Sequence, residues 1–184
     1  MLDKLLAWDR ETFIYLNSLG IEQYDYMWSF ATKLLTWTPL YIFILFLLVY
    51  KQTKKRALFK VGITVSLLLF ILALTKYSKM YFERLRPSSD PTLNKIIRVI
   101  NTSQEFSFIS GHAAFSFSLT TIAVLFLKDK IKWIWFLYLW PVFLSFSRIY
   151  VGVHYPLDLI MGGLTGVLVA RLFFGVYKRL QHSA

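Results

Sequence analysis

The chain has 184 residues, enough for one domain, and is 57% hydrophobic and 18% aromatic with a mean hydropathy of +0.53, too apolar for an ordinary soluble domain. It holds no cysteine, which excludes a disulfide framework, a thiolate metal site and a cysteine nucleophile. The net charge of +11 would suit a nucleic-acid partner, but its distribution along the chain assigns it to a membrane face instead.

In chain order, residues 1 to 31 come first. Leu2, Leu5, Leu6, Phe13 and Leu16 recur at roughly helical spacing, with Asp3, Lys4, Arg10 and Glu11 between them and Gly20 as a stop. The pattern predicts an amphipathic helix lying in the membrane interface, followed by an aromatic collar of Tyr24, Tyr26, Trp28 and Phe30. Five apolar stretches then have the length of membrane-spanning helices: Thr32 to Tyr50, Ala57 to Lys76, Ala113 to Leu127, Ile131 to Ser147 with Pro141 as a kink, and Pro156 to Tyr177. Gly162, Gly163 and Gly166 in the last stretch suit close helix packing. The expected fold is all-α: a polytopic membrane helix bundle of about five transmembrane helices plus the interfacial helix, in a single domain over residues 1–184.

Charge sets the orientation. If the first span ends on the cytoplasmic side, the cytoplasmic segments hold eleven of the 21 basic residues and one of the ten acidic residues, Asp129. That asymmetry accounts for nearly all of the net charge. It predicts an integral inner (plasma) membrane protein and needs no nucleic acid. Alternating the helices then brings three polar clusters to the outer, periplasmic or extracellular, side: Lys79 with Arg86-Pro87, Ser110-Gly111-His112, and Ser147-Arg148 with His154 and Asp158. A polar loop from about Glu83 to Phe108 joins the first two and could form a rim or lid.

These groups suit one phosphoryl group. Lys79, Arg86 and Arg148 could neutralise it, the guanidinium forks binding two oxygens at once. Ser110 and Gly111 precede a helix whose first N–H groups and dipole attract an anion. His154 and Asp158 are four residues apart; a carboxylate on one ring nitrogen fixes the tautomer and leaves the other free to attack. His154 is therefore read as nucleophile, Asp158 as its orienter and His112 as general acid and then base. Arg84 and Arg98 are weaker phosphate candidates. Taken singly, Lys79 and Arg86 also suit snorkelling to headgroups, and His154 a backbone-bonded loop histidine. The acids of the outer side lack the clustered spacing of a magnesium site, so neither metal nor cofactor is expected.

At these residues the sequence resembles the type 2 phosphatidic acid phosphatase superfamily of integral membrane lipid phosphatases. That family's signature is lysine, six residues, arginine-proline; proline-serine-glycine-histidine; and serine-arginine, five residues, histidine, three residues, aspartate. Here these are Lys79, Arg86 and Pro87; Ser110, Gly111 and His112; and Ser147, Arg148, His154 and Asp158, with Ile109 standing where the family usually has proline. The resemblance implies metal-independent hydrolysis of a lipid phosphate or pyrophosphate through a phosphohistidine. Undecaprenyl pyrophosphate is the favoured substrate, and lipid A or phosphatidylglycerophosphate the alternative. A vanadium-dependent haloperoxidase shares the motif pattern but is soluble. A non-catalytic lipid-phosphate-binding membrane protein is the rival of another class. The expected partners are the bilayer and its lipid phosphate; oligomeric state is not legible.

Overall fold

The computed structural model describes residues 1–182, and every regular element among them is helical. Seven α-helices follow one another: α1 (Leu2–Ser18), α2 (Asp25–Ala31), α3 (Thr38–Val49), α4 (Lys54–Phe82), α5 (Gly111–Leu127), α6 (Leu139–Tyr150) and α7 (Pro156–His182). α4 and α7 are long and apolar enough to cross a membrane, which makes the chain an integral membrane protein by length and composition. The bent pair Glu22–Ala31 and Leu34–Val49 makes a third crossing if counted as one.

The structure refines three of the sequence expectations. The stretch Thr32 to Tyr50 is divided between a 3₁₀ turn, Leu34–Trp37, and α3, and this arm, Leu34–Val49, meets the preceding arm, Glu22–Ala31, at 67°. Pro39 lies in the first turn of α3, where its missing N–H costs nothing. Polar side chains also take backbone carbonyls at the break: Thr36 Oγ1 donates to Phe30 O (2.8 Å) and Trp37 Nε1 to Ala31 O (2.8 Å). The stretch Ile131 to Ser147 is likewise divided. Lys132–Tyr138 is a 3₁₀ segment, and Pro141 falls in the first turn of α6 and starts that helix instead of kinking it. The first helix forms over nearly the predicted residues, but its buried positions are Asp9, Phe13 and Asn17. Leu2, Leu5 and Leu6 are exposed, as the lipid-facing side of an interfacial helix would be.

α5 is the central column, packed against α3, α4, α6 and α7. Its contact with α7 is the tightest. A Cβ on Gly162 would lie 2.7 Å from Ser110 O, and one on Gly166 would lie 2.4 Å from Ala114 O. Only glycine permits that backbone approach. Ile44, Leu48, Leu67, Ile71, Ile122 and Leu144 form the main core around α5. A second cluster, with Phe13, Leu93, Ala113, Ile149, Tyr155 and Leu159, lies between the outer loop and the head of α7. The outer loop is tied down along its length. Ser107 N donates to Arg84 O (2.7 Å), Ile100 N and Asn101 N donate to Val151 O (3.3 and 3.2 Å), and Asn17 Nδ2 donates to Arg98 O (3.0 Å).

Replacing Gly166 or Gly162 by valine is expected to destabilise the purified protein by about 1–3 kcal/mol, the usual cost of overpacking. The same change at Gly175, where a Cβ meets nothing within 4 Å, should leave the midpoint of thermal unfolding in detergent nearly unchanged.

Candidate active site

The helix α7 begins at Pro156, so Tyr155 is the residue that caps it and Asp158 is the third residue inside. From there its carboxylate reaches back: Tyr155 N donates to Asp158 Oδ2 at 3.0 Å, half of a capping box. The same oxygen faces His154 Nδ1 at 3.4 Å and receives the Ser107 hydroxyl. His154 and Asp158 therefore meet by capping geometry. His154 lies before the helix starts, so helical i,i+4 stacking is not what joins them. Ser107 Oγ also lies 3.3 Å from His154 Nδ1.

On its other edge the imidazole meets Arg86. Arg86 Nη1 lies 3.2 Å from His154 Nε2 and donates to Val153 O at 3.2 Å, while its Nε donates to Glu105 O at 2.7 Å. A guanidinium can only donate, so Nε2 is the accepting nitrogen and Nδ1 carries the proton toward Asp158 and Ser107. His154 is 1% exposed. Burial, more than its charged neighbours, pulls its pKa down to about 3, and the ring is neutral at neutral pH.

Lys79, one turn from the end of α4, pairs with Glu105, and Glu105 Oε2 also lies 3.9 Å from Arg86 Nη2. The Lys79 ammonium holds the Glu105 carboxyl below its ordinary range. Arg148, in the last turn of α6, donates to Thr32 Oγ1 at 2.6 Å, and its buried Nε has no partner among the described residues. Ser147 Oγ donates to the same threonine oxygen at 3.0 Å. Ser110 caps α5: its hydroxyl accepts from Ala113 N (3.4 Å), and its own N–H donates to Asp158 O (3.1 Å). The first helical N–H groups, those of Gly111 and His112, have no intrahelical acceptor. Gly111 and His112 line a cavity of about 680 Å³ with Thr75, Lys76, Lys79 and Glu105; Leu34, Leu72, Met80 and Phe115 form its apolar wall. Arg148, His154, Arg86 and Lys79 all lie within electrostatic reach of His112.

The structure thus brings together Lys79, Arg86, Ser110, Gly111, His112, Arg148, His154 and Asp158. Of these, Lys79, Gly111 and His112 line the cavity; Arg84 and Arg98 do not, and both are engaged by carboxylates. Arg84 bridges two buried carboxylates, Asp9 (2.6 Å) and Asp158 (2.7 Å). Arg98 grips Asp25 at 2.8 and 2.9 Å. Sequence reasoning missed Ser107, Thr32 and Asp9. The first two are ordinary hydroxyl residues with no spacing signal. Asp9 stands one turn before Phe13 on the same side of α1, and a lone carboxylate among the charges of an amphipathic stretch carries no signal of its own.

Unfolding returns His154 to an ordinary value near 6.5, so as pH falls the unfolded chain takes up this proton before the folded one. The contribution of His154 to stability is complete above about pH 6.5 and is lost as pH falls toward 3. Thermal midpoints in detergent should decline through that window, and less steeply for His154→Gln. Equal slopes would contradict a neutral buried imidazole.

The chain is similar to known proteins. A family model described as the PAP2 superfamily matches residues 57–181. A lipid A 4′-phosphatase of Porphyromonas gingivalis is 29% identical over 96% of this chain and 75% of its own length. An undecaprenyl-diphosphatase of Sulfolobus acidocaldarius is 33% identical over 86% of this chain and 66% of its own. The crystal structure of LpxE from Aquifex aeolicus superposes with a TM-score of 0.70 at 26% identity, covering 90% of this chain and 93% of that one. The match covers more than half of the chain, all three polar clusters included: this chain belongs to the PAP2 superfamily and is a phosphatase of that family.

Proposed function

We propose that this protein hydrolyses a membrane-borne lipid phosphate or diphosphate at the outer face of the bilayer, with His154 as nucleophile. One observation carries the reading. A buried neutral imidazole has its Nδ1 edge against Asp158 and its Nε2 edge turned to an arginine, in a cluster that continues through Glu105 and Lys79 to a cavity shared with a second histidine. In this reading an arriving phosphoryl group draws Lys79, Arg86 and Arg148 onto its oxygens, with the N–H groups at the start of α5 beside them. That frees Nε2. The Nε2–P bond forms as the P–O bond breaks, and His112 protonates the leaving oxygen. Water, deprotonated by His112, then attacks the phosphohistidine and releases phosphate. Asp158 holds the tautomer throughout. The cations supply the charge neutralisation, and no metal takes part.

The same reading takes the chain as one domain with about five crossings, α1 lying in the interface and the polar clusters facing the periplasm or extracellular space. Undecaprenyl pyrophosphate is the favoured substrate: the cavity pairs a cationic end with an apolar wall, and an undecaprenyl-diphosphatase is among the relatives. Lipid A is the second reading, supported by the match to a lipid A 4′-phosphatase over almost the whole chain.

Purified protein should release phosphate from one of undecaprenyl pyrophosphate, lipid A, phosphatidylglycerophosphate or phosphatidate, at a rate unchanged by EDTA. His154→Ala and His112→Ala should each lower turnover by about 1,000-fold or more. A wild-type protein that releases nothing from any of the four would overturn the reading, and one that keeps lipid affinity without turnover would be a binder. Orientation can be read separately, because the chain holds no cysteine. Thr102→Cys should react with an impermeant maleimide on intact spheroplasts, and Lys130→Cys only after permeabilisation.

A further inference from the structure

Asp9 and Arg84 belong to none of the polar clusters that the phosphatase reading uses, yet they are built into its base. Asp9 is 0% exposed, on a helix that is otherwise mostly solvent- or lipid-facing. Its Oδ2 accepts from Arg84 Nη2 at 2.6 Å, and its Oδ1 accepts from Leu157 N at 2.8 Å. Leu157 is the second residue of α7, so Asp9 supplies, from a different helix, the capping oxygen that a residue at the start of α7 would ordinarily supply. Arg84 Nη1 donates to Asp158 Oδ1 at 2.7 Å, and the guanidinium lies 4.0 Å from the centre of the Tyr155 ring. Phe13 packs edge-on against that ring at 5.4 Å. Arg84 thus fills the oxygen of Asp158 that does not face His154, and Asp9 fills the other arm of Arg84.

We propose that Arg84 and Asp9 are positioning residues for catalysis: a line Asp9–Arg84–Asp158–His154 fixes the carboxylate and, through it, the imidazole, so that the amino-terminal helix is part of the catalytic apparatus. The line starts far outside the family match at residues 57–181. The physical case rests on burial. Two carboxylates with no exposure need a cation between them. A planar fork that bonds both at once also sets the plane of each, which a flexible ammonium does not. Asp158 held at Oδ1 presents Oδ2 to Nδ1 of His154 without swinging. Freed from Arg84, it can rotate toward Ser107 or the Tyr155 N–H, both of which already bond it, and the ring loses its fixed tautomer.

This inference rests on His154 being the reacting group, and its test reads both turnover and the ring itself. The variants are Arg84→Lys, Arg84→Met, Asp9→Asn and the double Asp9→Asn/Arg84→Met. On whichever lipid the wild type hydrolyses, Arg84→Met should lower kcat by about 100-fold with KM changed less than about threefold. Arg84→Lys should recover only part of that loss. Asp9→Asn should lower kcat by about tenfold, and the double variant should be no slower than Arg84→Met, because both changes cut one line. In parallel, ¹⁵N-histidine spectra of detergent-solubilised protein report the tautomer directly. With three histidines in the chain, His154→Gln assigns the signal. Wild type should show one fixed Nδ1–H form, and Asp9→Asn and Arg84→Lys should show exchange between tautomers. If Arg84→Met does not fold, Arg84→Lys and Asp9→Asn carry the kinetic test. Variants with wild-type kcat, a loss confined to KM, independent effects in the double variant, or an unchanged His154 signal would overturn the proposal. A wild type inactive on every lipid phosphate, with the tautomer shift still present in the variants, would leave the line standing and overturn the phosphatase reading instead.

Discussion

A carboxylate with no exposure at the head of α7 constrains everything around it. Asp158 cannot be left unpartnered, because an unpaired buried charge costs several kcal/mol. The chain meets the demand from four directions: Arg84 from the end of α4, Ser107 from the outer loop, the Tyr155 N–H from its own helix cap, and His154 from the turn after α6. Each donor has to be delivered to within about 3 Å, so the neutralisation of one side chain fixes the relative positions of α4, the outer loop, α6 and α7. The buried histidine is a consequence of the same arrangement. It is neutral because it is desolvated, and its tautomer follows from having a guanidinium on one edge and a carboxylate on the other.

The second constraint is the backbone contact of α5 with α7. Glycines 162 and 166 let the two helices approach until Ser110 and Ala114 carbonyls touch α7. That contact, together with the Ser110 N–H on Asp158 O, sets the start of α5, and His112 with it, beside the head of α7. A wider helix spacing would carry His112, at the start of α5, away from His154, in the turn that leads into α7. Gly152 serves the same end on the other side. Its φ of +84° suits glycine, and a Cβ there would lie 2.6 Å from Arg98 O, so the turn carrying Val153 and His154 presses directly on the outer loop.

Much of the site is legible in sequence because phosphate chemistry restricts residue types: lysine and arginine for charge, histidine for nucleophile and proton carrier, glycine at a helix start. Lys79, Arg86, His112, Arg148, His154 and Asp158 could be picked out on those grounds, and the structure draws them together. What stayed hidden depends on distance in space with no periodic signal in the chain. Asp9 stands 149 positions before Asp158, a lone carboxylate among the charges of an amphipathic stretch, and it is inward only because Phe13 and Asn17 carry that side of α1 against α6 and α7. Thr32 holds Arg148 from a helix break that continuous hydrophobicity conceals. Hydropathy gives the order of apolar stretches well and their straightness poorly, since Pro39 and Pro141 open helices that composition alone would run through.

The central claim is that His154 takes the phosphoryl group onto its ring. Rapid acid-free quenching of purified protein turning over a ³²P-labelled lipid phosphate, followed by proteolysis and mapping, tests it most directly. The account predicts label that is stable to base, labile to acid, and located on the peptide holding His154, with longer-lived labelling in His112→Gln. Turnover with no labelled peptide, or label on His112 with His154→Gln still active, would contradict it.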